Sequence, residues 1–274
     1  MRVESLSIYP VKSLRGHQVP QAEVAPWGME GDRRWGVVDA TGEPVTARQV
    51  QALLGIQAEH CPADGGLRLT APGLGTLEVS PPYDGPLVAV GFSRLPQARG
   101  CDSRVDAWLS EAAGERLRLV WQDDPTARSV SSRHGGRPGD VLNLADAGPI
   151  LLTSNASLAQ LQDWVGADGP EISMTRFRPN VVVDGTEPFA EDSWEEIQIG
   201  GVGLRRASLC DRCVMTTIDP ETLETGHEPV KTLARHRRWD GATWFGVRMV
   251  PVVTGAIDTD ADVIVDSVTD DSTG

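Results

Sequence analysis

Short strand-forming runs, followed closely by glycine or proline, recur through the first hundred residues of this chain. They lie at residues 2–9, 35–39, 53–60, 67–70, 76–79 and 87–92. Regular short strands with such punctuation are typical of a β-barrel or a β-sandwich. The first part of the chain is therefore predicted to be rich in β-structure.

The pattern changes after residue 100. Apolar residues at helical spacing, followed by a glycine, predict a helix at residues 102–114. A second helix is predicted after residues 150–154, with Ser154 or Asn155 as its cap, and a short basic helix at residues 229–238. Further strands are predicted at residues 117–121, 180–184, 195–199, 203–207, 244–253 and 262–268. The predicted fold class is α+β, mostly β.

The formal net charge of −14 argues against nonspecific binding to nucleic acid or to an anionic membrane surface. No apolar run is long enough to span a membrane, and the first residues lack the apolar core of a signal peptide. Four cysteines in 274 residues do not suggest a disulfide scaffold. We therefore expect a cytoplasmic protein with no nucleic-acid or membrane partner.

Two cysteines, Cys210 and Cys213, stand two residues apart with Arg212 between them. A neighbouring guanidinium should lower the pKa of a thiol, and the thiolate is the form that binds metals. The pair is open to three interpretations: half of a zinc site, a redox dithiol, or two thiols without function. A redox dithiol should begin a helix, whereas residues 214–218 are predicted to form a strand because of their β-branched side chains.

Basic residues also stand in predicted turns after strands. They are Lys12, Arg33, Arg34, Arg48 and the arginines of residues 176–180. Each alone is more often a solvated surface charge than a ligand. Together, in an acidic chain, they are candidates for one phosphate site, because Lys supplies a point charge and Arg a bidentate fork.

Seven motifs in order resemble those of the MOSC (molybdenum cofactor sulfurase C-terminal) family, above all its amidoxime-reducing branch. They are Ile8-Tyr-Pro-Val-Lys-Ser13, Gly31-Asp-Arg-Arg-Trp35, Val45-Thr-Ala-Arg-Gln49, Ser154-Asn-Ala-Ser-Leu158, Phe177-Arg-Pro-Asn180, Ala190-Glu-Asp-Ser-Trp194 and Cys210-Asp-Arg-Cys-Val-Met-Thr-Thr-Ile-Asp-Pro220. The resemblance implies a β-barrel MOSC domain at residues 116–266, packed with a smaller β-rich MOSC-associated domain at residues 1–115. An acidic tail is expected at residues 267–274.

The resemblance also implies a molybdenum cofactor of the molybdopterin type, with a protein cysteine as a metal ligand. Carried over by motif, Cys213 is that ligand and the catalytic residue, and Cys210 is a neighbour. The residues expected to contact the cofactor are Lys12, Ser13, Arg33, Ser154, Asn155, Arg178, Asn180 and Arg212. A thiolate is the soft donor that such a metal centre prefers.

The activity implied is the reduction of N-hydroxylated compounds, such as amidoximes and hydroxylamines, to amidines or amines. The alternative is a carrier of the molybdenum cofactor, or of sulfur as a persulfide on Cys213. Because no glycine-rich dinucleotide motif follows a strand, we expect electrons from a separate protein of the ferredoxin, flavodoxin or flavin reductase type. The candidate docking residues are residues 235–238, together with Arg128, Arg133 and Arg137 in the polar loop at residues 123–139, which is expected to be mobile. The alternative for each of them is a solvated surface charge without a partner.

Overall fold

The computed structural model describes residues 1–269, which are mostly β-strand. The strands are β1 (Arg2–Ile8), β2 (His17–Val19), β3 (Gln21–Ala25), β4 (Gly28–Met29), β5 (Trp35–Val38), β6 (Gln57–Cys61), β7 (Gly66–Ala71), β8 (Gly75–Val79), β9 (Leu87–Ala89), β10 (Gln97–Gly100), β11 (Arg118–Trp121), β12 (Ile150–Ser154), β13 (Val181–Asp184), β14 (Trp194–Ile199), β15 (Val202–Asp211), β16 (Arg238–Trp239), β17 (Ala242–Val253), β18 (Gly255–Asp258) and β19 (Val263–Val268). The helices are α1 (Ser103–Ala113), α2 (Asn155–Val165) and α3 (Val230–His236). The α+β, mostly β prediction is confirmed.

The largest sheet has nine strands in the order β19-β14-β15-β17-β12-β13-β1-β2, with β16 paired to β17. Its neighbours run antiparallel, except β12 and β13, which are parallel. Its buried face forms one apolar core with fully buried side chains such as Leu6, Ile150, Leu152, Leu204 and Met249.

Three smaller sheets complete the fold, in the orders β5-β11-β10-β9, β18-β3-β4 and β6-β7-β8. A second apolar core lies between α1 and the strands β5, β6, β7, β8 and β11, where Val105 and Leu109 are buried, whereas β3, β4 and β18 contribute to the first core. The Asp102 side chain caps α1 by accepting hydrogen bonds from two backbone N–H groups, and Gly114 ends the helix in the left-handed conformation at φ +71°. The helix at residues 102–114 is therefore confirmed.

Two of the first strands, β1 and β3, pair with strands from the second half of the chain. β1 lies between β2 and β13, with Leu6 opposite Val181. β3 pairs with β18, with Val24 opposite Gly255. The division at residue 115 therefore does not separate the sheets, because β1 and β3 each pair with a strand that comes more than 150 residues later.

Two predicted strand segments are wrong. Residues 214–218 begin with a 3₁₀ turn, Val214–Thr217, and the start of the predicted strand at 53–60 lies in another, Gln51–Gly55. In the first turn the hydroxyl groups of Thr216 and Thr217 donate to backbone carbonyls three residues earlier, at 3.0 and 2.7 Å. These side-chain hydrogen bonds favour a tight turn rather than an extended strand for these residues.

The end of the chain differs from the prediction in one respect. The acidic tail was expected from residue 267, but β19 continues to Val268. Asp270 and Asp271, which carry part of the predicted acidic charge, lie outside the described residues. Among residues 1–269 there is no helix with the length and apolar character needed to cross a membrane.

Candidate functional site

The main cleft of the described structure is lined by an excess of cationic side chains. It encloses about 890 Å³, part of it open to solvent. Its seven cations are Lys12, Arg33, Arg48, Arg176, Arg178, Arg212 and Arg248, against the two carboxylates of Asp146 and Asp211. In a chain with a net charge of −14, this local positive charge predicts an anionic ligand.

Three residues that line the cleft have left-handed backbone conformations. The φ angles are +72° at Ser13, +45° at Arg33 and +56° at Arg178. A non-glycine residue in this region costs roughly 1–2 kcal/mol. Such strain concentrates at functional sites, where the surrounding structure imposes it.

Arg33 is held on several sides. Its guanidinium donates to the buried carboxylate of Asp32 at 2.6 Å, to Asn180 Oδ1 at 2.8 Å and to the carbonyl of Arg178 at 3.0 Å. Asn180 also accepts from the backbone N–H of Leu151 and donates to the carbonyl of Ser7. Asn180 therefore supports Arg33 and the strand ends, and its polar atoms are already occupied.

Lys12 forms an ion pair with Asp146 inside the cleft and donates to the carbonyl of Leu144 at 2.9 Å. The Lys12 side chain is 16% exposed, whereas that of Asp146 is open to solvent. Burial lowers the pKa of Lys12, although Asp146 opposes this change. The Lys12 ammonium holds the pKa of Asp146 well below its usual range. At neutral pH the pair is therefore a carboxylate beside an ammonium that gives up its proton more readily than a surface lysine does.

Three guanidinium groups in the cleft have a buried nitrogen atom without a partner in residues 1–269. For Arg176, which is paired with Asp219, this atom is Nε; for the other two it is a terminal nitrogen, Arg178 Nη2 and Arg212 Nη2. Burial lowers the pKa of Arg178 to about 10 and also lowers the pKa of Arg212. Buried donors almost always have an acceptor, so these two atoms indicate room for an anion or a polar ligand.

The other cleft arginines are compensated by carboxylates or exposed. Arg176 pairs with Asp219, and Arg248 pairs with Asp211. Arg48 is exposed at the cleft wall. Arg34 does not face the cleft, because its guanidinium donates to the carbonyls of Gln122 and Asp123.

The two thiols have different surroundings. Cys213 is exposed and Cys210 is buried, although both line the cleft. Arg212 between them donates to the carbonyls of Phe245 and Phe177, at 2.8 and 3.2 Å. Among residues 1–269, no group of three or more His, Cys, Asp and Glu side chains is arranged so that it could hold a metal ion. Cys213 is therefore the thiol that a ligand in the cleft can reach.

The structure gathers most of the site residues predicted from the sequence. Those that line the cleft are Lys12, Ser13, Arg33, Arg178, Asn180, Arg212 and Cys213. Asp146, Asp211 and Arg248, which the sequence did not single out, line it as well. Asp146 and Arg248 stand in stretches without a distinctive motif, and only the fold brings them here.

Ser154 and Asn155 do not line the cleft, in contrast to the prediction. Ser154 caps α2, where its hydroxyl accepts from the Ser157 N–H at 3.0 Å and contacts the buried carboxyl of Glu191 at 3.1 Å. The Ser157 hydroxyl donates to the same carboxyl at 2.7 Å. Burial raises the pKa of Glu191, and its carboxyl already accepts from both serine hydroxyls at this helix terminus.

Two predicted docking residues are also wrong. Arg128 is buried and donates to the carbonyls of Ser93, Asn143 and Ala145, so it braces the cleft wall from behind. Arg237 is paired with Asp192.

Comparison with known proteins assigns the family. Residues 1–116 match the MOSC N-terminal beta barrel domain, and residues 134–264 match the MOSC domain. The chain is 35% identical over 249 residues to mitochondrial amidoxime-reducing component 1 of Mus musculus and 34% identical over 251 residues to that of Homo sapiens. Each match covers 87% of this chain and 72% of the relative.

Molybdenum cofactor sulfurase of Danio rerio is 31% identical over 262 residues, which are 89% of this chain but 31% of that protein. The identities and the two domain matches confirm the resemblance seen in the sequence motifs. The chain belongs to the MOSC-domain family, with an N-terminal MOSC β-barrel domain followed by a MOSC domain.

Proposed function

We propose that this protein is a molybdenum-cofactor-dependent oxidoreductase that reduces N-hydroxylated compounds, such as amidoximes and hydroxylamines, to amidines or amines. The observation that carries the proposal is one cleft that combines the exposed thiol of Cys213 with the unpartnered guanidinium nitrogens of Arg178 and Arg212. The names of two relatives, both amidoxime-reducing components, support the substrate class.

The residues of the cleft fit a cofactor of this kind. A thiolate is a soft donor suited to such a metal, and no cluster of three protein ligands exists among the described residues. Cys213 would therefore be the protein ligand, and the remaining ligands would come from the organic part of the cofactor. The buried guanidinium nitrogens and the nearby Arg33 suit its anionic end.

When bound, the cofactor supplies the two-electron chemistry. The protein supplies binding, orientation and a proton. Arg33 and Arg178 hold the anionic end, and Ser13 lines the same wall. Removing the oxygen of an N-hydroxylated substrate as water consumes two protons. In this proposal the Lys12 ammonium, whose pKa burial lowers, delivers one of them, while Asp146 keeps the amine oriented.

The electrons come, in this proposal, from a separate acidic carrier protein. Lys231, Arg235 and Arg238 are exposed on or next to α3, beside the partly exposed Trp239. Lys231 and Val214 line the same shallow depression, and Val214 directly follows Cys213. This exposed basic surface, which we call the α3 face, is the docking surface that complementary charge favours.

The second candidate is delivery of the molybdenum cofactor, or transfer of sulfur carried on Cys213. The similarity to a molybdenum cofactor sulfurase favours it. The two functions differ in one measurable property, because a carrier must release its cofactor to an acceptor whereas a reductase must retain it through repeated turnover.

The test is multiple-turnover reduction of benzamidoxime by purified, cofactor-loaded protein with an artificial reductant. Cys213→Ser should abolish turnover, whereas the matched variant Cys210→Ser should keep most of it, because Cys210 is buried and Cys213 exposed. Molybdenum content of both variants should be measured in parallel. Wild-type protein that keeps its molybdenum but never turns over amidoxime would refute the reductase and leave the carrier.

A further inference from the structure

The arginines of the cleft are held in two chemically different ways. Arg176 and Arg248 are each paired with a carboxylate. Within residues 1–269, Arg178 and Arg212, whose terminal Nη2 atoms are buried and unpartnered, form no ion pair and instead lie over aromatic rings. The central guanidinium carbon lies 4.3 Å from the Tyr9 ring centre for Arg178 and 5.2 Å from the Phe177 ring centre for Arg212.

Arg178 depends on its aromatic contact more than Arg212 does. Arg212 also donates to two backbone carbonyls. The Arg178 side chain makes no hydrogen bond and no ion pair with any of residues 1–269. Because a cation within about 6 Å of a ring centre is attracted by the ring quadrupole, Tyr9 is the group that holds this guanidinium.

Tyr9 is itself fixed in place. It is 6% exposed, its backbone N–H donates to Asp32 at 2.8 Å, and its carbonyl accepts from the Arg33 N–H at 2.8 Å. A Cβ at Gly16 would lie 2.5 Å from Tyr9 Cδ1, so the ring packs directly against the Gly16 backbone. A second guanidinium, that of Arg33, lies 4.7 Å from the same ring centre.

The chemical consequence is that Arg178 keeps an uncompensated charge. A carboxylate in the place of Tyr9 would pair with Arg178, offset its charge and compete with an incoming anion. A ring attracts both cations but carries no net charge, and it leaves the Arg178 hydrogen-bond donors unoccupied.

We propose that Tyr9 is a positioning residue that presents Arg178, as an unpaired cation, to the phosphate-bearing end of the ligand in the cleft. This inference deepens the proposed function, since it assigns a role in binding the cofactor rather than in turnover. Arg33 has three other partners and should stay in place without Tyr9, whereas Arg178 should not.

The experiment measures binding of inorganic phosphate to the cofactor-free protein by calorimetry, so it needs neither molybdenum nor turnover. Tyr9→Phe keeps the ring and should bind phosphate within twofold of wild type. Tyr9→Leu should weaken binding about 3- to 30-fold. Tyr83→Leu, at the other tyrosine of the chain, is the matched control and should have no effect because Tyr83 is exposed and outside the cleft.

A double-mutant cycle separates positioning from general damage. If Tyr9 acts through Arg178, then Tyr9→Leu combined with Arg178→Met should bind phosphate no more weakly than Arg178→Met alone. Should Tyr9→Leu fail to fold, fluorinated phenylalanines at position 9 keep the ring shape but weaken its attraction for a cation. The dissociation constant should then rise with each added fluorine.

Three results would overturn the proposal: no phosphate binding by wild type, unchanged binding in Tyr9→Leu or across the fluorinated series, or additive losses in the double variant. A loaded protein that binds phosphate as described but never reduces an amidoxime would refute only the proposed reaction.

Discussion

Replacing Arg178 by methionine should make the cofactor-free protein more stable, although it removes a binding residue. Methionine keeps an unbranched apolar stem and removes a buried charge that no carboxylate of residues 1–269 compensates. The carbonyl of Arg178, which accepts from Arg33, is a backbone atom and stays in place. The opposite result is expected for Arg33→Met, because Arg33 is paired with Asp32.

The magnitudes follow from the surroundings of the two groups. Burial lowers the pKa of Arg178 from its ordinary value to about 10, which corresponds to at most about 3 kcal/mol against the charged folded form. Partial solvent access reduces this figure, and the lost attraction to Tyr9 offsets roughly 0.5–2 kcal/mol. A net gain of about 1 kcal/mol remains. Arg33→Met leaves the fully buried Asp32 carboxylate without its cation and should cost about 3–5 kcal/mol.

The assay is urea unfolding of both variants and wild type at pH 7, first in buffer without phosphate and then with it. Phosphate stabilises only a protein that binds it, by about 2.7 kcal/mol at a hundredfold excess over the dissociation constant. Once phosphate is added, the free energy of unfolding of wild type should therefore exceed that of Arg178→Met. If Arg178→Met is less stable than wild type without phosphate, the guanidinium is compensated in a way that the described contacts do not include, and the reasoning is wrong.

Three further predictions concern other parts of the molecule. Glu191→Gln should raise the thermal midpoint at pH 8 and leave it unchanged at pH 4: since the pKa of Glu191 is raised, wild type loses stability as the pH rises through that value. Gly246→Ala should lower the free energy of unfolding by about 2–4 kcal/mol, because φ is +77° and the new methyl would lie 2.6 Å from Thr153 Cγ2, as urea unfolding will show. Lys231→Glu with Arg235→Glu should raise the KM for an acidic electron donor several-fold while leaving turnover with an artificial reductant unchanged. Equal effects in both assays would argue against docking at the α3 face.

The sequence predicts strands and helices well where apolar residues repeat at the spacing of one type of element. The helix at residues 102–114 has an Asp cap, an apolar stripe and a terminal glycine, and all three features act within a few residues. The β-branched residues at 214–218 predict a strand, because such residues favour strands. The segment instead begins with the turn Val214–Thr217, whose conformation is decided by hydrogen bonds from two threonine hydroxyl groups to backbone carbonyls. Propensity alone does not describe such bonds.

The residues of the candidate site were likewise only partly predictable from the sequence. Lys12, Arg33 and Arg178 stand in recognisable motifs, so their meeting in one cleft was expected before the structure. Tyr9 stands in one of those motifs too, but nothing in the chain order shows that its ring would lie beside two guanidinium groups. Three-dimensional packing decides which arginines meet a carboxylate and which meet an aromatic ring. It also decides the burial that shifts their pKa values.

The pairing of β1 with β13 has a consequence for how the protein is made. Leu6 is opposite Val181, so the first strand emerges from the ribosome long before its partner exists. At roughly 5–20 residues per second, that wait lasts about ten seconds or more, during which a strand with one apolar face has no sheet to join. The cleft is lined by both Lys12 and Arg248, so it forms only after residue 248 has been released. We therefore expect that nascent chains need protection from aggregation, and that loading with any cofactor is a step that follows synthesis.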